Sequence, residues 1–216
     1  MGLWVPCFLV VAAALWAFAA IASEIAEGDT HAFDRAVLLA LRNPLNHEDP
    51  LGPSWLEQVA RDVTSLGGTT LLTIVTLIVS VYLGIAGRPA AAVFTAASVG
   101  GGALLSMLLK HSFDRPRPDL VPHLVDVYSA SFPSGHAMLS AVTYLTLGAL
   151  LARVQTRRRL QAYVVSCSLL LTVLVGVSRV YLRVHWPTDV IAGWCVGSAW
   201  AILCGLVALW LQQRAS

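Results

Sequence analysis

Six stretches of this chain, residues 3–22, 66–85, 89–109, 133–152, 160–178 and 190–212, carry no Asp, Glu, Lys or Arg. Each is close to the roughly 20 residues that an α-helix needs to cross the hydrocarbon core of a bilayer. Only 12% of the 216 residues are charged, about half the share usual in soluble domains. A water-soluble protein of this length has no interior able to hide six such segments. The pattern predicts an all-α fold: a polytopic membrane protein built as a six-transmembrane-helix bundle, in one domain over residues 1–216. His136, in the first turn of the fourth run, is a polar intrusion that needs its own explanation.

Residues 23–65 separate the first two spans. Phe33, Val37, Leu38 and Leu41 recur at helical spacing, as do Trp55, Val59 and Val63, which predicts two short helices lying in the membrane interface. Ser54 with Glu57 has the form of a capping box. The small residues at 17–23 resemble a signal cleavage site, but no Lys or Arg precedes the apolar run, which predicts an uncleaved first span. The opening MGLWVP lacks the Ser or Thr of a myristoylation signal. Cys7, Cys167, Cys195 and Cys204 sit inside apolar runs without C-x-x-C spacing and read as small buried hydrophobes. A net charge of +2 without a basic tract offers nothing to nucleic acid.

Six spans place both termini on one side of the membrane. All 12 acidic residues fall on the other side, with eight of the 14 basic ones; the first side holds six arginines and no acid. A raw count of basic residues is ambiguous, but the Arg157-Arg158-Arg159 cluster in a short connection marks its side as cytoplasmic. The opposite face, read as external, collects three polar clusters. Lys110 closes the third span and is followed by Arg117-Pro118. Pro133, Ser134, Gly135 and His136 open the fourth. Ser178-Arg179 closes the fifth, with His185 and Asp189 at the entrance to the sixth. Ionisable groups at membrane depth are costly and mark function.

The chemistry of these clusters suits a phosphoryl group. Lys110, Arg117 and Arg179 are cations, and arginine's planar fork matches phosphate oxygens. Pro133-Ser134-Gly135 predicts a helix start with Pro at the first helical position and free N–H groups facing an anion. Neutral imidazole can attack phosphorus near neutral pH if one ring nitrogen is free and the other is held. Asp189, four residues after His185, can hold it. Pro187 disfavours helix at Trp186, so the sixth helix is predicted to start at Pro187 with Asp189 reaching back. His136 is then placed to protonate the leaving oxygen.

The spacing K-x6-R-P, then P-S-G-H, then S-R-x5-H-x3-D resembles the signature of the type 2 phosphatidic acid phosphatase family, matched here at every motif position. The resemblance covers residues 110–189 in detail, and the six-span layout is similar to the membrane branch of that family. It implies that His185 is the nucleophile, Asp189 its orienting partner and His136 the general acid. It further implies that Lys110, Arg117, Ser134, Gly135 and Arg179 hold the phosphoryl oxygens, that no metal or other cofactor is used, and that the pocket faces the periplasm or exterior. The implied substrate is a membrane lipid phosphate of the undecaprenyl diphosphate, phosphatidylglycerophosphate, phosphatidic acid or lipid A class.

Other readings compete. The same phosphohistidine can pass its phosphate to an acceptor lipid, making the chain a phosphotransferase. A phosphate transporter without chemistry would spread polar residues through the depth of the bundle, and here they gather at one lip. Arg115, Arg183, Asp114, Asp119 and Asp126 read as solvated or structural, Arg183 having a lesser prospect of approaching the phosphate. His111 and His123 match no motif position. Gly100-Gly101-Gly102 and Gly193-x-x-x-Gly197 read as close helix packing inside the bundle rather than a broken helix or a dimer face, so no oligomeric state is assigned.

Overall fold

Each of the six charge-free stretches is helical over most of its described residues. The computed structural model describes residues 4–113, 115–118 and 130–215, the side chains of His47, Glu48 and Ala215 excepted; Asp114, Asp119, His123 and Asp126 lie outside the described residues. The helices are α1 (Trp4–Glu27), α2 (His31–Ala40), α3 (Ser54–Ser65), α4 (Thr69–Ile85), α5 (Pro89–Ser112), α6 (Gly135–Arg153), α7 (Arg158–Tyr181) and α8 (Pro187–Ala215). Five of them are long and apolar enough to cross a membrane. Helix α4, whose 17 residues reach only about 25 Å, makes a sixth span when taken together with α3, from which it is bent by 47°. The all-α, polytopic expectation agrees with this architecture. Several helices outrun the charge-free windows, as α1 does by ending at Glu27. A charged residue marks where hydrocarbon ends, not where the helix does, because long side chains reach back to the headgroups.

The segment between the first two spans contains the two short helices, α2 and α3, together with an unexpected hairpin. Strand β1 (Arg42–Asn43) pairs antiparallel with β2 (Asn46–Pro50), Asn43 opposite Asn46. The Asn43 side-chain oxygen accepts from the Leu45 amide at 3.0 Å, a turn that Asn closes locally. Two sequence details need correction. Ser54 is the first residue of α3, behind Pro53, and Glu57 pairs with Arg61 at 2.6 Å; the i,i+4 ion pair takes the carboxylate that a capping box would use. Pro133 lies outside α6: Ser134 is the N-cap, its hydroxyl accepting from the Ala137 amide at 3.5 Å, and Gly135 is the first helical residue.

Helix α6 is the centre of the bundle and packs against α4, α5, α7 and α8. Its contact with α8 depends on bare backbone. A Cβ at Gly193 would lie 2.7 Å from the Ser134 carbonyl oxygen, and one at Gly197 would lie 2.5 Å from that of Met138. The glycine pair therefore serves packing within the chain, as expected. Gly101 and Gly102 likewise face Trp200 and Val142, and α5 runs through them unbroken. The four cysteines are free and partly buried. Successive spans alternate in direction, so α5 and α7 end on the face where α6 and α8 begin. On that face α2 packs on α8 and α3 on α7, forming a cap.

Candidate active site

The turn between α7 and α8 is the keel of the site. Helix α7 ends at Tyr181, Arg183 turns the chain with a φ of 67°, and α8 starts at Pro187. His185 lies in this turn, 1% exposed. Its Nδ1 is 3.4 Å from Asp189 Oδ2 and 3.4 Å from Ser131 Oγ. Its Nε2 looks the other way, 3.3 Å from an Arg117 Nη1 that also donates to the Val184 carbonyl at 2.5 Å. Burial pushes the imidazole down to about 3; Asp189 opposes that shift, while Arg117 and Arg179 reinforce it. Near neutral pH His185 is therefore uncharged, with a lone pair directed at a cation.

Asp189 is fully buried, and its carboxylate is crowded with donors. Oδ2 accepts from Ser131 Oγ and, at 3.0 Å, from the Trp186 amide; Oδ1 accepts from Arg115 Nη1 at 2.5 Å. Arg115 is only 7% exposed and forks. Its second arm meets Asp34 of α2 at 2.7 Å and Thr30 at 2.9 Å. Asp34, also fully buried, accepts from the Thr188 amide at 2.9 Å and hydroxyl at 2.7 Å. Of the two expectations for Arg115, solvated or structural, the structure shows the buried one.

The remaining predicted residues surround the same point. Lys110 closes α5 and donates to the Ala130 carbonyl at 3.3 Å. A Cβ on Gly135 would stand 3.3 Å from Lys110 Cε and 3.7 Å from Nζ, so the bare glycine lets the ammonium lie against the start of α6. Ser134, fully buried, is pinned by its amide to the Asp189 carbonyl at 3.0 Å. Arg179, 5% exposed, donates to Thr64 of α3 at 2.9 Å. His136, one residue into α6, is half-buried, and Arg179, His185, Lys110 and Arg117 all act on it electrostatically. Lys110, Arg117, Ser134, Gly135, His136, Arg179, His185 and Asp189 are thus brought together on one face. Arg183 is 1% exposed and lies beside Arg42, whose guanidinium donates to the Tyr181 carbonyl at 2.6 Å.

Five supporting residues were not singled out in the sequence: Asp34, Thr64, Ser131, Thr188 and, as an ion-pair partner, Arg115. Asp34 was legible. It falls on the stripe with Val37, Leu38 and Leu41, so an acid occupies the apolar face of α2. Thr64 and Ser131 carry no such signal.

The arrangement offers a convergent set of cations, a helix N-terminus and a neutral imidazole with one nitrogen anchored, the equipment for binding a compact oxyanion and attacking it. The sequence profile of the PAP2 superfamily matches residues 91–213. Phosphatidylglycerophosphatase B of Bacillus subtilis (strain 168) is 31% identical over 193 residues, 88% of this chain and 85% of that protein. Undecaprenyl-diphosphatase of Sulfolobus acidocaldarius is 37% identical over 95 residues, 44% of this chain and 40% of that one. The crystal structure of a transmembrane PAP2-type phosphatidylglycerolphosphate phosphatase from Bacillus subtilis superposes with a TM-score of 0.76 at 29% identity, over 96% of each chain.

Proposed function

This chain belongs to the PAP2 superfamily, and from that premise we propose that it is a membrane lipid phosphatase removing a terminal phosphate from a lipid phosphate or diphosphate. The candidate substrates are undecaprenyl diphosphate, phosphatidylglycerophosphate and phosphatidic acid. The relatives named for lipid phosphatase activity support the reaction class. Residues 1–216 act as one domain in the cell (inner) membrane, with the site on the periplasmic or external face and both termini cytoplasmic. The Arg157-Arg158-Arg159 connection, on the face opposite the site, supports that orientation.

In the proposed reaction the phosphoryl oxygens lie among Lys110, Arg117, Arg179 and the Ser134-Gly135 start of α6. The His185 Nε2 lone pair attacks phosphorus as the bond to the lipid-side oxygen breaks, and His136 delivers a proton to that oxygen. The ring becomes a phosphorylated imidazolium whose Nδ1–H faces Asp189. Water then attacks the same phosphorus, gives a proton to His136, and the P–N bond breaks to return His185 and inorganic phosphate. Each transfer develops negative charge where the cations already stand, and no metal is used.

The observation that carries this reading is the orientation of His185, with Nδ1 towards Asp189 and Nε2 towards Arg117. The test is phosphate release from a panel of lipid phosphates in detergent with a chelator present, for wild type and His185→Ala. Wild-type turnover that survives the chelator and vanishes in the variant is expected. Near-normal release by His185→Ala, or a strict need for added divalent metal, refutes the mechanism. Chromatography of the lipids separates hydrolysis from transfer: a new phosphorylated lipid on adding an acceptor identifies the phosphotransferase.

A further inference from the structure

Asp34 and Arg115 belong to none of the three motifs' functional positions, yet they are buried beneath the nucleophile and joined to it through one carboxylate. Arg115 donates to Asp189 Oδ1 at 2.5 Å with one arm and to Asp34 Oδ2 at 2.7 Å with the other. Side-chain exposure is 6% for Arg115 and 0% for both acids. Trp186 lies against the guanidinium, its ring centroid 5.7 Å away, which keeps water off that face. Asp34 is itself held by both the amide and the hydroxyl of Thr188, next to Asp189 in sequence. The cap helix α2 is thus tied to the first turn of α8 at the point where His185 is oriented.

We propose that Asp34 is a positioning residue of the reaction, acting through Arg115 as the electrostatic counterweight that keeps the Asp189 carboxylate an effective partner for His185. The inference rests on the reading of His185 as nucleophile. Its physical basis is charge counting in a buried site. Asp189 and Arg115 alone are neutral as a pair, and a neutral pair does little for the imidazolium formed when His185 takes phosphate. Asp34 returns one net negative charge to the ladder. It also occupies the second arm of Arg115, so that the guanidinium is shared rather than committed wholly to Asp189. Among the described residues, the charged or titratable groups that act on His185, or on Asp189 and His136 beside it, are Lys110 of α5, His136 of α6, Arg179 of α7, Asp189 of α8, and Arg115 and Arg117 of the connecting segment. Among these only Asp189 is acidic. A change of one charge behind it takes the ladder from one net negative charge to none, in a site where every other charged group is a cation.

The test uses the full chain in detergent with phosphatidylglycerophosphate micelles as substrate and inorganic phosphate as a competing probe. Asp34→Asn leaves the ladder neutral. It is expected to lower kcat about 10- to 100-fold, the worth of one hydrogen bond to a charged group, to move the acid limb of the kcat profile to lower pH, and to leave the phosphate inhibition constant within about twofold. Arg115→Gln leaves two acids and should move the same limb to higher pH. The double variant, Asp34→Asn with Arg115→Gln, restores a single net negative charge and should return the limb towards wild type even where each single variant folds poorly, a non-additivity that separate structural defects do not produce. The proposal is overturned if Asp34→Asn leaves the acid limb in place, if the two single variants shift it in the same direction, or if the double variant shows the sum of the single effects. Loss of the underlying mechanism is distinguishable, because it would appear as activity in His185→Ala.

Discussion

Asp189→Asn isolates what the carboxylate contributes beyond shape. The substitution keeps the side chain's size, and an amide oxygen can still accept from the Trp186 amide, which now meets Oδ2 at 3.0 Å. What disappears is one negative charge 3.4 Å from His185 Nδ1. In an effective dielectric of about 20, unit charges at that separation attract by roughly 5 kcal/mol. That attraction exists only once the imidazole has become cationic, so in the proposed mechanism it falls on the transition state and intermediate rather than on substrate binding. At 1.36 kcal/mol per decade the expected loss in kcat is roughly 10³- to 10⁴-fold, with KM little changed. Arg115 still pairs with Asp34 at 2.7 Å, so the variant is expected to fold. The assay is steady-state phosphate release, with thermal unfolding in detergent and inorganic phosphate inhibition measured on the same preparation. A well-folded variant within tenfold of wild-type kcat would mean that Asp189 only packs the turn, and the argument from its charge would fail.

Two further outcomes follow from burial and close packing. His185 stands at about 3 in the folded protein against about 6.5 in an unfolded chain, so between those values the unfolded state binds more protons. Stability therefore rises with pH across that window and is lost as pH falls through it, by up to about 1.4 kcal/mol per unit; the melting temperature of wild type should drop more steeply from pH 6.5 to 4 than that of His185→Gln, and parallel curves would contradict it. Gly197→Val puts a branched side chain where even a Cβ lies 2.5 Å from the Met138 carbonyl, which should separate α6 from α8 and destabilise the bundle by about 1–3 kcal/mol or more. An unchanged melting temperature would show that the two helices do not depend on that approach.

The spans were legible because a bilayer punishes charge severely enough for its absence over twenty residues to mark them. The candidate site was legible for the complementary reason: Lys110, Arg179 and Asp189 stand where an apolar run ends, and a charge at that depth needs a cause. What the sequence hid were the tertiary partners. Ser131 and Thr64 are small hydroxyl residues without periodicity, meaningful only once the Asp189 carboxylate or the Arg179 guanidinium is beside them. Arg115 resembled any interfacial arginine, since nothing local says that its two arms reach residues 81 and 74 positions away. The hairpin at 42–50 was hidden for another reason: a pairing of this length is set by the Asn43 turn and by Arg42 docking on α7, not by alternation of apolar residues.

Arg115 and Arg179 show how the fold treats two buried cations differently. Arg115 meets two carboxylates and is close to saturated. Arg179, 5% exposed, has a neutral threonine hydroxyl at 2.9 Å and, among the described residues, a buried Nε without a hydrogen-bond partner. Burying an ion with so little compensation costs several kcal/mol, and selection tolerates that cost where function needs the charge. Arg179→Met should then abolish most phosphate release yet raise the melting temperature of the ligand-free protein. An anion that satisfies Arg179 should recover the deficit in wild type: inorganic phosphate at one hundred times its Kd would stabilise by about 2.7 kcal/mol, against no effect in Arg179→Met. The decisive comparison is melting temperature with phosphate and with chloride at matched ionic strength. If Arg179→Met melts well below wild type without phosphate, the guanidinium is a structural strut for α3 and α7, and its place in the phosphate site is wrong.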